Sequence, residues 1–575
     1  MTDRYTCRYL LSAILLPVLL LAGCGDAAPD PDAAERVFIN ARVYTVNDEQ
    51  PWAEAVAVRD DRIVYVGDNA GAEALTGKQT AVHDLGGKLL LPGFIDSHMH
   101  PIGGGAYAKA LSLNTFGEVD EWIAAIDEFA EANPDAPLIF GYGFLASTFG
   151  PGGPTRQMID GVVPDRPVLI MDEGFHGAWA NSRALELLNI TQDTRDPAPG
   201  FSYYKRDANG DATGYLLEGT AGMAMDGLNA ITTDTVVEGT AYVFDVLNQY
   251  GVTSVFDAGA GGYGDELPEI LSRLERAGDM TVRIVGAYRP GGPKDVADAV
   301  TRAKEWGATI KGERYHYLGL KIMDDGTVEG RTAAMFEDYQ GEPGNSGETV
   351  YTQEQMNEMV VGAAAADIDV HIHALGERAV HEALNAIEVA RERHGDSRSR
   401  YAICHIQVIT DQDLPRFAEL DVFAQSTPLW ASYDTYGEQF VSADQFQRYW
   451  RFKSLADLGV ALSFGSDFPA SGAGMLGMSP VLQIEIGHTR QSAGEADAPV
   501  QPRESERLSV AALVRGFTID AARQMHMDDE IGSIKTGKKA DLIVLDQNIF
   551  EVEPYSIHQT KVLLTLMDGE VVWQQ

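Results

Sequence analysis

Leu91-Pro92-Gly93-Phe94-Ile95-Asp96-Ser97-His98-Met99-His100 is a short apolar run that stops in two histidines. On a strand, residues i and i+2 share a face, so both imidazoles can point at one cation. With 13 histidines in 575 residues, one His-x-His is a weak signal. Its weight comes from its place in a larger pattern. Gly103-Gly104-Gly105 turns the chain just past the pair, and seven more apolar runs recur downstream, separated by helix-like stretches. They fall at 252–257, 282–286, 318–323, 369–373, 401–405, 422–425 and 461–467. From the second run onward the spacing is roughly 20 to 50 residues, as in βα units. The pattern predicts a (β/α)8 barrel of the TIM type.

A parallel barrel gathers the C-terminal ends of its strands at one mouth. The polar residues at those ends are His98 and His100, Lys321, His373, His405 and Asp467. Imidazoles and carboxylates are what a borderline cation such as Zn2+ binds, and an open coordination position makes such a site catalytic. A second pair, His371-Ile372-His373, offers one ligand; His373 lies nearer the strand end, and His371 reads as a packed core histidine. Lys321 stands in Gly319-Leu320-Lys321-Ile322-Met323-Asp324-Asp325-Gly326. An amine held out of water is deprotonated more easily, and a neutral amine can add CO2 to form a carbamate that bridges two cations. Asp467, in Ser463-Phe464-Gly465-Ser466-Asp467-Phe468-Pro469, reads as a ligand and a proton shuttle. Cys404, beside His405, reads as a small packing residue.

Outside the barrel pattern, residues 36–90 and 532–575 alternate in short strand-like runs, such as Ala55-Val56-Ala57-Val58 and Asp541-Leu542-Ile543-Val544-Leu545. They predict one small β-sandwich made from both ends, around a barrel domain at 91–531. About 140 residues separate the first two barrel strands, too many for one crossover. An inserted subdomain at about 104–238 is therefore expected on the first barrel loop, beside the active face.

The N-terminus reads as an export signal. Arg4 and Arg8 precede an apolar run at 10–21 with Pro17 inside it, and Leu21-Ala22-Gly23-Cys24 closes it. The run is short for a membrane span. The tetrapeptide resembles a bacterial lipobox, which implies a signal peptide at 1–23, lipid on Cys24, and a tether at 24–35. The expected location is the bacterial cell envelope, facing the periplasm, the outer membrane before the inner. Of three cysteines, Cys7 leaves with the signal and Cys24 is acylated, so Cys404 has no disulfide partner. The net charge of −41 excludes nucleic acid as a partner. A small-molecule substrate is expected, and a homodimer is compatible with the pattern.

These motifs together resemble the amidohydrolase superfamily, and within it the amidohydrolase family 3 branch. The stretch 91–100 is similar to the family's first-strand signature. Lys321 through Asp325-Gly326 to Gly330-Arg331-Thr332-Ala333 is similar to the fourth. His373-Ala374-Leu375-Gly376-Glu377-Arg378-Ala379 and Gly465-Ser466-Asp467-Phe468-Pro469 are similar to the fifth and eighth. Gly532-Ser533-Ile534-Lys535-Thr536-Gly537 resembles the return into the sandwich. The resemblance implies His98, His100 and Asp467 on one divalent metal, His373 and His405 on a second, and N6-carboxylated Lys321 between them. Whether one or two metals bind is left open. It also implies that His176, in Gly174-Phe175-His176-Gly177-Ala178-Trp179-Ala180-Asn181-Ser182, faces the substrate, with Asn181 and Arg331 as further substrate contacts. On residue type alone, His176 reads as a surface histidine. The chain departs from the family at Cys404 and Glu377, where acidic residue and Asp are common, and at Phe144-Leu145, where Trp-Asp is common. The implied reaction is hydrolysis of a non-peptide carbon–nitrogen bond in an amide, N-formyl compound or cyclic amide by metal-activated hydroxide, with Asp467 moving the proton and His176 stabilising the oxyanion. An ester or phosphoester hydrolase on the same metals, and a lipid-tethered solute-binding protein with a degenerate site, are the alternatives.

Overall fold

In the computed structural model, which describes residues 33–114, 117–172, 176–197, 202–260, 262–432 and 435–575, the eight apolar runs form eight parallel strands. They are β1 (Phe94–Met99), β2 (Val252–Asp257), β3 (Arg283–Tyr288), β4 (Tyr315–Met323), β5 (Asp369–Ala374), β6 (Tyr401–His405), β7 (Val422–Ser426) and β8 (Leu462–Phe464). Each strand pairs with the next in order. Helices cover the outside and side chains fill the inside, so both faces are buried and the strands are apolar nearly throughout.

β8 ends earlier than its sequence pattern predicts. The chain leaves the strand after Phe464, and Asp467 sits on the loop beyond with φ of 52°. That loop closes the ring. The Asp467 N–H donates to the His98 carbonyl at 2.8 Å, and the His100 N–H donates to the Phe468 carbonyl at 2.8 Å. Gly465 permits the approach: a Cβ there would come within 2.5 Å of the His98 nitrogen. Asp96 ties the same two segments, accepting the backbone N–H groups of His98 and Ser466.

The terminal segments share one six-stranded sheet. Its order is Glu570–Gln574, Val562–Met567, Leu542–Leu545, Leu89–Pro92, Arg42–Tyr44 and Trp52–Ala53. A four-stranded sheet, Arg62–Gly67, Ala55–Arg59, Ala34–Ile39 and Thr76–Asp84, accompanies it. Phe38, Val43, Val56, Leu90, Leu542 and Leu564 belong to the core they share. The first strand starts at Ala34, inside the expected tether, because the Ala34 N–H donates to the Leu75 carbonyl and the side chain is buried. The expected signal peptide and Cys24 lie outside the described residues.

The insertion between β1 and β2 has its own sheet, ordered Tyr203–Arg206, Ala212–Leu217, Gly177–Ala180, Val168–Asp172, Ile139–Phe144 and Leu111–Ser112. Trp122, Phe144 and Trp179 are buried in its core, so the position where the family often has a Trp-Asp pair serves packing here. The helix Thr233–Gln249, opened by a capping box at Thr232, returns the chain to β2. Among the described residues no helix is long and apolar enough to cross a membrane.

Candidate metal centre and active site

Strand register brings the polar residues together. Lys321 of β4 pairs with His371 of β5, and His373 pairs with Cys404 of β6. All lie inside the barrel, and all are buried. His98 is their hub. Its Nε2 lies 3.3 Å from Lys321 Nζ and 3.4 Å from Asp467 Oδ1. His100 Nε2 lies 3.5 Å from the same Asp467 oxygen. The rings of His405 and His373 have centroids 4.5 Å apart, and His405 is 4.7 Å from His98. The structure thus gathers His98, His100, Lys321, His373, His405 and Asp467 at the barrel mouth.

The donor set fits a cation. His98 Nε2, His100 Nε2 and Asp467 Oδ1 converge closely enough to share one ion. His373 Nε2 and His405 Nδ1 are buried ring nitrogens with no hydrogen-bond partner among the described residues, the nearest carboxyl oxygen to His373 Nε2 being Asp325 Oδ1 at 3.6 Å, an arrangement that costs free energy unless something else meets them. Lys321 donates to Cys404 Sγ at 3.1 Å, and no carboxylate among the described residues stands within ion-pair distance of it. A buried amine with only neutral partners lacks the opposite charge that an ion out of water needs.

Electrostatics agree with a ligand role. Burial drives the pKa values of His98, His371 and His405 well below the usual histidine value, and that of His373 down to about 3, with Lys321 adding to the effect. Neutral imidazole is the form that binds a metal. Burial pushes the Cys404 thiol up to about 12, so it is no thiolate. Asp325 accepts the backbone N–H groups of Ala334, Leu375 and Gly376, and burial still raises it to about 7. Asp96 is raised to about 7 by burial. Asp324 is raised to about 8, by burial and then by Asp325, and both its carboxyl oxygens lack a partner.

Two residues beneath the ligands are absent from the expected set. His371 is in the core, packed against the Phe256 ring, but its Nε2 also lies 2.9 Å from His98 Nδ1. Gln425, at the end of β7, brings Oε1 to 3.1 Å from the same nitrogen. With its hydrogen on Nδ1, His98 faces two acceptors and leaves Nε2 for a cation, the tautomer control expected beneath a metal ligand. His100 is held the same way by the Gly259 carbonyl, 3.1 Å from Nδ1. The period-two pattern put His371 on the right face; only its reach across the barrel was hidden. Glu377 is buried and engages Arg448 and Gln445, away from the ligands.

Above the cluster is a cavity of about 660 Å3. Trp430, Trp450 and Leu429 give it an apolar wall, and Arg289, Glu329 and Gln407 are polar residues that line it. Three expected substrate contacts are elsewhere. Asn181 is fully buried as a helix N-cap: its Oδ1 accepts from Val168 and Ala184, and its Nδ2 donates to the carbonyls of Val163 and Arg166. That corrects its assignment to substrate, since no hydrogen-bonding capacity faces the cavity. Arg331 pairs with Glu342 and lies over the Phe440 ring, outside the cavity lining. His176 is exposed, 3.1 Å from Glu218 through Nδ1, and likewise does not line the cavity; the preceding residues of its motif, 174 and 175, lie outside the described residues.

The sequence profile of the amidohydrolase family matches residues 81–573. The chain belongs to this family. As a member of the amidohydrolase family it is a hydrolase. It is 32% identical over 416 residues to the exoenzymes regulatory protein AepA of Pectobacterium carotovorum subsp. carotovorum, covering 69% of this chain and 86% of that one. It is 26% identical to N-substituted formamide deformylase of Arthrobacter pascens, over 94% of this chain and 98% of that enzyme. A solved structure of an uncharacterized metal-dependent hydrolase from Pyrococcus furiosus superposes with a TM-score of 0.70 at 24% identity, over 90% of this chain and 100% of that one. That likeness establishes the amidohydrolase barrel as the fold.

Proposed function

We propose that this amidohydrolase cleaves the amide bond of N-formyl or N-acyl compounds in the cavity above His98. The observation that carries the reading is the convergence of His98 Nε2, His100 Nε2 and Asp467 Oδ1 beside a buried Lys321 that faces no carboxylate. The similarity to an enzyme named for deformylating N-substituted formamides supports the choice of bond. In this reading His98, His100 and Asp467 would hold one divalent ion, probed first as Zn2+, and His373 and His405 would hold a second where two bind. Lys321 Nζ, as the neutral amine, would add CO2 with loss of one proton, and the carbamate would offer its two oxygens as further ligands. A cation held there lowers the pKa of a water from 15.7 to about 7 and polarises a carbonyl.

The chain's own residues do the rest. Asp467 lies at the mouth on the loop that closes the barrel, within reach of both first-strand imidazoles. Its carboxylate takes the proton of the attacking water and delivers it to the leaving nitrogen. Trp430 and Trp450 shield the amide from bulk water and seat apolar groups. The proposal extends to location: cleavage before Cys24 and lipid on its thiol would tether the enzyme to the bacterial envelope, which mass spectrometry of the mature N-terminus tests. For the activity, the metal-loaded mature protein is assayed on matched N-formyl, N-acetyl, ester and phosphoester compounds. Turnover of the amides ahead of the esters is expected. Ester or phosphoester preference overturns the assignment of the bond, and a protein that neither holds nor responds to Zn2+ overturns the assignment of the centre.

A further inference from the structure

The turn that holds His100 rests on a buried pair outside the ligand set. Asp257 ends β2 and Tyr317 belongs to β4, with β3 between them. Strand register sets Asp257, Gly286 and Tyr317 side by side. The Tyr317 hydroxyl reaches over β3 and donates to Asp257 Oδ2. Gly286 makes room for it: a Cβ there would come within 2.3 Å of the Tyr317 ring. Phe256 packs against His371 inside the barrel, so its neighbour Asp257 faces the other side of the sheet. There the helix Ala299–Thr309 covers the pair, with the Trp306 ring centroid 5.6 Å from that of Tyr317. Both side chains are fully buried, and Asp257 Oδ1 has no hydrogen-bond partner among the described residues. A buried carboxyl costs free energy that an apolar residue would not, and a glycine inside a strand adds to the cost. Cohesion alone explains neither.

Two residues past Asp257 the chain reaches Gly259, whose carbonyl lies 3.1 Å from His100 Nδ1. The Ala258 N–H donates to the Met99 carbonyl at 2.9 Å, which ties the start of the turn to β1. β2 has ended by then, so strand pairing does not hold Gly259 itself. Gly259 has φ of 115°, which favours glycine, and its N–H faces the Asp257 carboxyl. The carboxyl thus lies under the turn, with Tyr317 holding it from two strands away.

We infer that Asp257 and Tyr317 are positioning residues: their hydrogen bond fixes the turn at Gly259, and so sets the direction in which His100 presents Nε2 to a cation. The inference rests on the proposed role of His100 as a metal ligand. A carbonyl orients an imidazole only as firmly as it is itself held. A small rotation of the ring would carry Nε2 away from the point it shares with His98 and Asp467.

The test separates metal affinity from stability. In the double variant Asp257→Leu, Tyr317→Phe both partners become apolar, so the thermal midpoint of the metal-free protein is expected to change little. Its affinity for Zn2+, measured by chelator competition, is expected to weaken about tenfold or more. Tyr317→Phe alone keeps the carboxyl and is expected to weaken affinity in the same direction. Trp306→Leu loosens the same layer without touching the hydrogen bond, and is expected to lower the thermal midpoint and leave affinity unchanged. Full affinity in the double variant, or affinity that follows the thermal midpoint across the set, overturns the assignment. If the wild type takes up no Zn2+, the proposed centre has failed. The rate at which diethyl pyrocarbonate modifies His100 in the metal-free protein, read by mass spectrometry against the exposed His176, then tests the turn alone. A faster rate in the double variant upholds the positioning role; an equal rate overturns it.

Discussion

The two ends of the barrel treat charge in opposite ways. At the floor, Arg283 is buried and donates to Asp541 at 2.6 Å, to Asp568 at 2.7 Å and to Ser254 at 2.8 Å. Lys539 also binds Asp568, at 2.8 Å, and Arg314 approaches it at 3.5 Å. Arg283, Asp541 and Asp568 each have an opposite charge in contact, and the network joins β3 to the strands of the terminal sheet. At the mouth, Lys321 is equally buried and has only His98 and Cys404 to face, His405 Nδ1 and the Asp324 oxygens have no hydrogen-bond partner among the described residues, and His373 Nε2 has only Asp325 at 3.6 Å. The same strands build both ends. The floor is neutralised internally and serves cohesion; the mouth is left electrostatically incomplete, which the rest of the fold must offset.

Removing the proton carrier at the mouth is the sharpest way to break that contrast. Asp467→Asn is expected to lower kcat about a hundredfold to ten-thousandfold, with metal content by elemental analysis and thermal midpoint little changed. Full activity in that variant would remove Asp467 from the chemistry.

A crossed pair of substitutions comes next. Arg283→Met leaves Asp541 and Asp568 buried beside lost partners, and is expected to cost about 3–5 kcal/mol of unfolding free energy in urea, with kcat per folded molecule unchanged. Lys321→Met replaces a buried amine that has no carboxylate partner with an apolar chain of similar length, so stability of the metal-free protein is expected to hold or rise while activity disappears. If both variants lose stability alike, the two ends do not differ in kind.

The barrel was legible because parallel strands buried on both faces read as short apolar runs, and because the six polar residues at their ends stand out against such runs. The end of β8 was not, since Phe464-Gly465-Ser466 continues the apolar run while Gly465 already packs against His98. Asn181 shows a different limit. An Asn before a helix has the same residue type whether it caps the helix or contacts a ligand, and only the four filled hydrogen bonds distinguish the two. Gln425 looked like any strand residue, because its contact with His98 joins β7 to β1 across 327 positions.

His371 sharpens the contrast within the mouth itself, between groups that meet the cation and groups that aim them. His371→Phe keeps the packing against Phe256 and removes the acceptor 2.9 Å from His98 Nδ1. Metal affinity, measured by chelator competition, is expected to weaken about 10- to 100-fold. At saturating metal, kcat is expected to change much less. An unchanged affinity would show that Gln425 suffices to orient His98.

The smallest expected effect is a pH slope that belongs to the mouth alone. Asp324, Asp325 and Asp96 are raised to about 8, 7 and 7 from an ordinary value near 3.8. The folded protein holds their protons where the unfolded chain has released them. Their contribution is complete below the unfolded value and is lost as pH rises through the folded values. The buried histidines act with the opposite sign: the unfolded chain binds their protons below about 6.5 and the folded one does not, so their penalty is felt only on the acid side. At the floor, Asp568 is lowered from 3.8, pulled down chiefly by Arg283 against the cost of burial, so its stabilisation is constant above neutrality. Between pH 6.5 and 8 the carboxyls at the mouth therefore act without opposition, each by roughly 1 kcal/mol per pH unit at most. Metal-free protein is expected to unfold at lower urea as pH rises across that window, and Asp324→Asn is expected to flatten the slope. A midpoint that rises from pH 6.5 to 8 would mean that these acids are ionised in the folded chain, and that the mouth is not electrostatically incomplete in the way its unpartnered oxygens indicate.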